Sequence, residues 1–234
     1  MDLDRAVLDD LRSLDTPTVC NALEILAPER RAAGFTHQPL VCARPTLPPM
    51  VGFARTAAIR ARAKDERSGR DAAAARLSYY EYVAEGGPLP SIMAIQDLDD
   101  EPGFGAWWGE VNTNVHRGLG CGGCVTNGSI RDLDDLAEGF QLLAGRVGPS
   151  HAYVHLVEFG KPVSIAGMDV VSGDLLHADQ HGAVVVPLEV AARVKETAEL
   201  QARRESVVIE ASQKEGFDLE SLRAAFRDMA EIHS

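Results

Sequence analysis

Apolar residues recur at helical spacing in several stretches of the chain, and these stretches predict its helices. Two short helices open the chain over residues 3–14 and 15–26, with Asp15 as the N-cap of the second and Pro17 in its first turn. Further helices are predicted over residues 71–83, 107–116, 133–140, 188–214 and 219–232. Residues 188–234 therefore form a C-terminal helical extension, which is suited to pack on a neighbouring subunit.

Short apolar runs bounded by turn residues predict the strands. They are expected over residues 52–61, 91–96, 124–126, 151–157, 163–165, 170–177 and 182–187. Asp174 and Asp179 are expected to hold turns through their carboxylates. The mixture of elements predicts an α/β fold. No low-complexity linker divides the 234 residues, so the whole chain, 1–234, is expected to be one domain.

Glycines crowd the stretch that precedes an Arg-Asp pair. Their density indicates close backbone approach or positive φ rather than an ordinary helix or strand; they are Gly118, Gly120, Gly122, Gly123 and Gly128. The predicted strand 124–126 and the turn at 127–129 deliver Arg131 and Asp132 beyond a strand end, where α/β folds place their sites. A surface ion pair or a helix N-terminus is the alternative interpretation of this dipeptide.

Gly109 and Glu110 stand near the beginning of the predicted helix 107–116. The first N–H groups of a helix have no intrahelical acceptor, so those of Val111 and Asn112 can face an anion. Glu110 precedes Arg131 by 21 residues, which is enough for a helix, a turn and a strand that return to the same edge of a sheet. The spacing indicates one shared site.

The charge balance limits the partners of this chain. It has 35 acidic and 23 basic residues, a formal net charge of −12, which disfavours nucleic-acid binding. The same balance repels a small dicarboxylate, so an enzyme acting on one needs local positive charge from Arg131 and a metal ion. No secretory signal or stretch of roughly 20 apolar residues that could span a bilayer is present, and a cytoplasmic protein is expected.

Several other groups of residues have two interpretations. The C-x-x-C at 121–124 fits zinc or redox chemistry, but it lacks a second ligand pair, and buried packing is favoured. The acidic run at 97–100 resembles a metal site but is more typical of a solvated turn. His151 and His155 would have metal-ligand spacing on a helix, whereas on the predicted strand they merely share a face. The tyrosines at 79–82 could line a pocket, but packing is favoured.

Two segments resemble a known family. Gly-Glu at 109–110 followed by LGCGGCVTNGSIRD at 119–132, and later VVSGDLLHADQHGAVVVP at 170–187, are similar to the RraA-like family, which includes metal-dependent 4-hydroxy-4-methyl-2-oxoglutarate aldolases. The resemblance extends from DTPTVCNALE at 15–24 through Pro187. It implies a swivelling β/β/α core within the α/β fold, and a homotrimer or a dimer of trimers with sites between subunits.

The same resemblance implies a divalent-metal pyruvate aldolase. Such an enzyme cleaves a 4-hydroxy-2-oxo acid to pyruvate and a second carbonyl compound, with oxaloacetate decarboxylation as a related activity. The reaction leaves a pyruvate enolate, and a metal ion stabilises its developing charge. Oxygen ligands and water suit Mg²⁺ as the first choice and Mn²⁺ as the second.

The resemblance also assigns roles to the residues of the predicted site. Asp132 is expected to bind the metal directly, and Glu110 is expected to hold metal-bound water or help proton transfer. Arg131 is expected to bind the pyruvyl carboxylate and the enolate oxygen through charge-assisted hydrogen bonds. The substrate-binding site is completed at the start of the helix by Gly109, Val111 and Asn112.

The chain departs from the commoner aldolase pattern at Asn127, often Asp, and at Ser129, often Gly or Ala, which puts the substrate in question. In the resembled aldolases a glutamate from a neighbouring C-terminal segment approaches the metal's waters, and Glu205 and Glu210 both fall near the matching place. Some RraA-like proteins instead inhibit a ribonuclease by protein contact, so a non-catalytic regulator is an alternative. A sugar-acid lyase or dehydratase with the same metal chemistry is a third hypothesis.

Overall fold

A computed structural model describes residues 3–232 and shows a mixed α/β fold. Its helices are α1 (Arg5–Arg12), α2 (Thr16–Leu26), α3 (Gly69–Glu85), α4 (Glu110–Gly118), α5 (Val194–Ser212) and α6 (Leu219–Ala230). Short 3-10 helices cover Pro28–Arg30 and Ala191–Arg193. The α/β class and the helical N- and C-terminal extensions are confirmed, and Asp15 caps α2 by accepting a hydrogen bond from the Thr18 N–H at 2.9 Å.

Most of the strands belong to one mixed sheet. In chain order they are β1 (Val41–Cys42), β2 (Met50–Arg60), β3 (Ser91–Asp97), β4 (Ala106–Trp108), β5 (Cys121–Thr126), β6 (Ser129–Ile130), β7 (Gln141–Ala144), β8 (Arg146–Val147), β9 (His155–Phe159), β10 (Val163–Ile165), β11 (Met168–Val170), β12 (Leu175–Asp179) and β13 (Gly182–Val186). The main sheet has the order β1-β7-β5-β3-β2-β12-β13, and β9 also pairs with β2. The strands β4, β6 and β8 form a small parallel sheet, and β10 and β11 form a hairpin.

The long strand β2 lies at the centre of the main sheet. Every residue of β2 except Arg60 is buried, and the strand pairs in parallel with β3 and antiparallel with β12 and β9. A strand covered on both faces is mainly apolar rather than alternating, and the buried polar residues of β2 are Arg55 and Thr56. Val51 on one face belongs to an apolar cluster with residues of α1, α2 and α5, whereas Ala54 on the other face belongs to a cluster with the β10–β11 hairpin.

Two predicted helical segments differ from the structure. Residues 133–140 form turns rather than a helix, because Asp132 has a φ of +55° and Gly139 a φ of +71°, neither of which continues a right-handed helix. Trp107 and Trp108 belong to β4 rather than to the following helix, which begins at Glu110. Both tryptophans are buried, so packing overrides the helical spacing of this segment.

Three predictions about strands also need correction. The predicted strand 170–177 is interrupted at 171–174, where the chain turns between β11 and β12. Gly122 and Gly123 lie within β5, which begins at Cys121, although Gly120 just before it does have a positive φ of +86°. The strand β9 begins at His155, so His151 lies in the preceding loop and the two histidines do not share a strand face.

The cysteines agree with the packing interpretation. Cys121 and Cys124 are free and buried, and burial raises the pKa of both thiols. A raised pKa keeps a thiol protonated and unreactive. Separately, among the helices that the structure describes, none combines the length and the apolarity needed to cross a membrane.

Candidate active site

The small parallel sheet brings the two halves of the predicted site together. The strands β4 and β6 end side by side, with Trp108 opposite Ile130. The Arg131 N–H extends this pairing by donating to the Trp108 carbonyl at 3.0 Å. Because parallel strands end at the same edge, Gly109 after β4 and Asp132 after β6 meet there.

The Asp132 carboxylate caps the beginning of α4. Gly109 is the N-cap residue of this helix and has no side chain with which to cap it. Asp132 supplies the acceptor instead, since its Oδ2 accepts a hydrogen bond from the Glu110 N–H at 3.2 Å. A Cβ on Gly109 would lie 2.4 Å from that oxygen, so only glycine allows this approach.

Asp132 has a backbone conformation that few side chains adopt. Its φ of +55° lies in the left-handed region, which Asp and Asn tolerate better than other non-glycine residues. The Asp135 N–H closes the turn by donating to the Asp132 carbonyl at 3.0 Å. Backbone strain of this kind concentrates at functional sites, because the surrounding structure must hold it in place.

A cavity of ≈ 270 Å³ opens beside this junction. Its lining includes five of the six predicted site residues, which are Gly109, Val111, Asn112, Arg131 and Asp132. The sixth, Glu110, gives its backbone N–H to Asp132, and Glu110 is itself exposed outside the lining residues. Within this single chain the cavity lining contains neither Glu205 nor Glu210. The structure thus brings the predicted residues together, and their chemical roles stay predictions.

Buried hydrogen bonds hold α4 beneath the cavity. The Asn112 side chain donates to the Trp107 carbonyl at 2.5 Å and accepts from the Tyr80 hydroxyl at 3.1 Å. One turn farther, His116 Nδ1 donates to the Asn112 carbonyl at 2.6 Å, and its Nε2 accepts from the Tyr79 hydroxyl at 2.7 Å. Burial lowers the pKa of His116 to about 4 and keeps the ring neutral. This histidine is therefore a support of the helix rather than an acid or base.

Six further residues line the cavity that were not predicted as site residues, and three of them have ionisable side chains. These three are Arg76, Tyr80 and His151. The packing interpretation is right for the buried Tyr79. Tyr80 packs against the same core and also lines the cavity, four residues after Arg76 on the same face of α3. That four-residue spacing is the signal that could have found the pair, whereas no local pattern indicates that a loop brings His151 to the same place.

The acidic run at 97–100 supports a loop. Asp97 accepts hydrogen bonds from the N–H groups of Asp99 and Gly103, and Asp99 accepts from those of Ala61 and Arg62. Asp97 and Asp99 are buried; both oxygens of Asp97 and the Oδ2 of Asp99 accept backbone hydrogen bonds, and the Oδ1 of Asp99 lies 3.7 Å from Arg60. The solvated-turn interpretation is therefore wrong for Asp97 and Asp99 and right for the exposed Asp100, and no group of ligands that could hold a metal is found at this run in the described residues.

The two departures from the commoner aldolase pattern also lie outside the cavity lining. Asn127 accepts from the Asp97 N–H at 2.7 Å and donates to the Asp97 carbonyl at 3.0 Å. An amide side chain can both accept and donate, whereas a carboxylate only accepts. The two hydrogen bonds therefore explain why this position has Asn rather than Asp. Ser129 is buried in β6. Neither residue shapes the cavity directly.

The donor atoms of Asp132 suit a hard divalent cation. Its Oδ2 is held by the Glu110 N–H, while its Oδ1 accepts no hydrogen bond from residues 3–232. Across those residues, no group of three or more His, Cys, Asp and Glu side chains is placed to hold a metal. Mg²⁺ commonly takes only one or two carboxylates and completes its shell with water and substrate oxygens. One available carboxylate oxygen at a polar cavity fits that pattern.

The charges around the cavity favour an anion. Arg131 Nε lies 3.5 Å from Asp132 Oδ2, and the two side chains are 37% and 34% exposed. Arg76 adds a second guanidinium to the lining. Among the lining residues of a chain of net charge −12, two arginines accompany one carboxylate, and a bound cation would add further positive charge.

Gly109→Ala is expected to displace the Asp132 carboxylate, because the new methyl group would lie 2.4 Å from Oδ2. We expect Mn²⁺ affinity to fall at least ~10-fold, as when an outer-shell partner of a metal ligand is lost. Calorimetric titration measures it. Gly118→Ala, at the other end of α4, places its methyl where no atom lies within 4 Å and is the matched control. Equal affinity in the two variants would contradict a metal role for this junction.

A family model and several solved structures match this chain. The family model described as RraA-like, Aldolase/RraA, matches residues 16–185. None of the curated proteins compared with the chain matches it significantly. An uncharacterised protein from Pseudomonas syringae pv. tomato is 26% identical with a TM-score of 0.71, over 96% of this chain and 95% of that one.

A second solved structure has a printed functional description. Streptomyces coelicolor RraAS2, described as an unusual member of the RNase ES inhibitor RraA protein family, is 22% identical with a TM-score of 0.67. The match covers 88% of this chain and 96% of RraAS2. At this identity the likeness shows a shared fold, and it confirms the expected core.

Proposed function

The chain belongs to the RraA-like family, and we propose that within it this protein is a divalent-metal-dependent lyase. Its proposed reaction is the cleavage of a 4-hydroxy-2-oxo acid, such as 4-hydroxy-4-methyl-2-oxoglutarate, to pyruvate and a second carbonyl compound. Oxaloacetate decarboxylation is the proposed related activity, since loss of CO₂ leaves the same pyruvate enolate. The family includes aldolases and ribonuclease inhibitors, so the choice between them depends on the site of this chain.

One observation carries the proposal: the Asp132 carboxylate, the Arg131 guanidinium and the first turn of α4 meet at a single cavity. A protein that acts only through surface contact has no need of a glycine that admits a carboxylate, or of a strained aspartate at a cavity. Enolate chemistry needs both the Asp132 carboxylate, to hold a cation, and the Arg131 guanidinium, to bind the substrate. The reason is that negative charge develops on an oxygen next to the substrate's carboxylate.

Arg131 is proposed to bind the substrate carboxylate. Its planar guanidinium can make two parallel hydrogen bonds to a carboxylate, which fixes the orientation of the acid as well as its position. The N–H groups of Val111 and Asn112 at the beginning of α4 add donors for the same anionic end. Binding of this kind holds the keto oxygen beside Asp132.

Asp132 is proposed to hold Mg²⁺, or Mn²⁺ as the second choice, through its available oxygen. When bound, the cation supplies Lewis-acid stabilisation of the charge that develops on the keto oxygen. Glu110 lies next to Asp132 at the beginning of α4, and its exposed side chain is proposed to hold a water molecule there.

A homotrimer or a dimer of trimers is proposed as the assembly. Val111 is 72% exposed at the cavity, and the C-terminal hairpin of α5 and α6 leaves apolar side chains such as Leu219 and Phe226 in solvent. Surfaces of this composition are suited to pack against another copy of the chain. In such an assembly Glu205 or Glu210 of one copy would approach the cavity of the next.

Pyruvate release from 2-oxo acids tests the function. Oxaloacetate and 4-hydroxy-4-methyl-2-oxoglutarate are offered to the purified protein, and pyruvate is detected with a coupled dehydrogenase. Excess chelator is expected to lower the rate at least ~10-fold, and Mg²⁺ or Mn²⁺ is expected to restore it. Full activity in chelator would remove the metal from the mechanism. If no 2-oxo acid yields pyruvate while the protein inhibits a ribonuclease, the regulator hypothesis replaces the lyase.

A further inference from the structure

The loop that carries His151 is held by backbone hydrogen bonds at Ser150 and at His151 itself. The Ser150 carbonyl accepts a hydrogen bond from the Ala106 N–H at 2.9 Å, and the His151 carbonyl accepts one from the Val154 N–H at 2.9 Å. The His151 backbone also packs closely on Gly105, where an added Cβ would lie 2.5 Å from the His151 carbonyl oxygen. A loop held this tightly gives its side chain a defined position at the cavity.

The residue after His151 has a strained backbone. Ala152 has a φ of +45°, a region that costs an alanine about 1–2 kcal/mol. Its N–H is held by the Ser150 hydroxyl at 3.0 Å. Of the three non-glycine residues with positive φ in the described part of the chain, Asp132 lines the cavity and Ala152 follows a residue that does. Strain on both sides of one cavity indicates that the two loops are shaped for function.

The imidazole of His151 has one nitrogen fixed and the other available. Nδ1 lies 3.2 Å from the Ala152 carbonyl oxygen, and a carbonyl only accepts, so Nδ1 carries the hydrogen. The neutral ring then has a lone pair on Nε2, to which no group among residues 3–232 donates a hydrogen bond. A fixed tautomer with a free Nε2 is the form that acts as a base.

The other ionisable groups that line the cavity are poorly suited to carry a proton, and Glu110, the residue expected from the sequence to help proton transfer, lies outside the lining. Guanidinium groups such as those of Arg76 and Arg131 do not release theirs in proteins. Burial raises the pKa of Tyr80, and its hydroxyl already donates to Asn112. Asp132 is engaged by the helix N-terminus and by the proposed cation. Imidazole is the side chain that takes up and releases a proton near neutral pH.

We propose that His151 is a further catalytic residue, which moves the proton during carbon–carbon cleavage and enolate protonation. The assignment rests on the proposed function. In cleavage, Nε2 takes the proton of the 4-hydroxyl while the C4–O bond becomes a carbonyl and the C3–C4 electron pair passes into the enolate. The protonated Nε2 then gives that proton to C3, and pyruvate forms. The substrate therefore supplies every atom and electron, and His151 returns to its neutral form.

Two reactions on the same site separate this role from a structural one. Loss of CO₂ from oxaloacetate removes no proton from the substrate, so it does not need a base. Exchange of the pyruvate methyl hydrogens with D₂O needs a group that removes a proton from C3 and returns one. His151→Gln is therefore expected to slow the exchange at least ~100-fold, the usual contribution of a general base. Single-turnover CO₂ release is expected to stay within about threefold.

His155→Gln is the matched control for this variant. His155 also bonds a backbone carbonyl through Nδ1, that of Tyr153 at 2.8 Å, but it lies in β9 and does not line the cavity. Its replacement is expected to change neither reaction. Proton exchange is followed by the pyruvate methyl signal in NMR, and CO₂ release by stopped flow with enzyme in excess over oxaloacetate.

Binding measurements add a readout that does not depend on turnover. The His151 ring signal, assigned by its loss in His151→Gln, is expected to shift when pyruvate is added, and calorimetry is expected to give the variant the parent's pyruvate affinity within about threefold. Unchanged exchange in His151→Gln, or equal losses of exchange and CO₂ release, would overturn the assignment alone. A parent protein that catalyses neither reaction would overturn the proposed function first, and the assignment with it.

Discussion

Asp132→Asn is expected to weaken Mn²⁺ binding by ~100-fold or more, since loss of an outer-shell partner alone costs about 10- to 100-fold. Asparagine keeps the size of the side chain and an oxygen that can accept from the Glu110 N–H, and it tolerates the φ of +55°. The fold and the helix cap are therefore expected to survive. Oxaloacetate turnover at fixed Mn²⁺ is expected to fall together with the metal affinity.

Asp135→Asn is the control for the effect of charge alone. It removes the same charge from the same turn, because the Asp135 N–H bonds the Asp132 carbonyl, yet Asp135 does not line the cavity. Calorimetric Mn²⁺ titration and a thermal melt are made on both variants. If Asp132→Asn binds Mn²⁺ as tightly as Asp135→Asn, Asp132 is not a ligand. If the two variants have the same melting temperature, a folding defect does not explain the weaker Mn²⁺ binding of Asp132→Asn.

The parts of the fold that the sequence predicted are those specified locally. The helix α2 begins where Asp15 can cap it and Pro17 fits its first turn, and the structure has it there. The main strands follow from apolar runs long enough to cross a buried sheet. Arg131 and Asp132 could be located because they follow the predicted strand 124–126 and its turn along the chain, whereas β4 was predicted as part of the following helix.

The parts that the sequence did not predict depend on contacts between distant segments. His151 reaches the cavity because its loop packs on Gly105 and pairs with Ala106, neither of which has a local signature. The stretch at 133–140 has helical spacing, but the positive φ of Asp132 directs the chain into turns. The same residue accepts the hydrogen bond from the Glu110 N–H of α4, so a contact between distant segments accompanies the loss of the helix.

Gly109 shows how one small residue connects the fold to the site. A helix normally obtains its N-terminal acceptor from its own N-cap side chain. Here the N-cap has no side chain, and the acceptor comes from Asp132, 23 residues later in the sequence. The carboxylate thereby satisfies a backbone donor with one oxygen and keeps the other for a ligand. The cap and the proposed metal site are two uses of the same group.

Arg131→Lys is expected to separate substrate binding from metal binding. Lysine keeps the positive charge but loses the planar fork that makes two hydrogen bonds to a carboxylate. A hydrogen bond to a charged group contributes about 1.5–3 kcal/mol, so kcat/KM for oxaloacetate is expected to fall ~10- to 100-fold. Metal affinity is expected to stay within about threefold of the parent, because Arg131 approaches only the Asp132 oxygen that already caps α4.

Arg117→Lys makes the same exchange on the exposed end of α4, away from the cavity lining, and is expected to leave both quantities unchanged. The two variants are compared by steady-state kinetics with oxaloacetate and by Mn²⁺ titration. A fully active Arg131→Lys would show that charge alone holds the substrate and would remove the carboxylate fork from the mechanism. A parallel loss of Mn²⁺ affinity would instead mean that Arg131 acts by positioning Asp132. The Arg131 Nε and the Asp132 Oδ2 lie 3.5 Å apart, so replacing the guanidinium would free the Asp132 carboxylate to move.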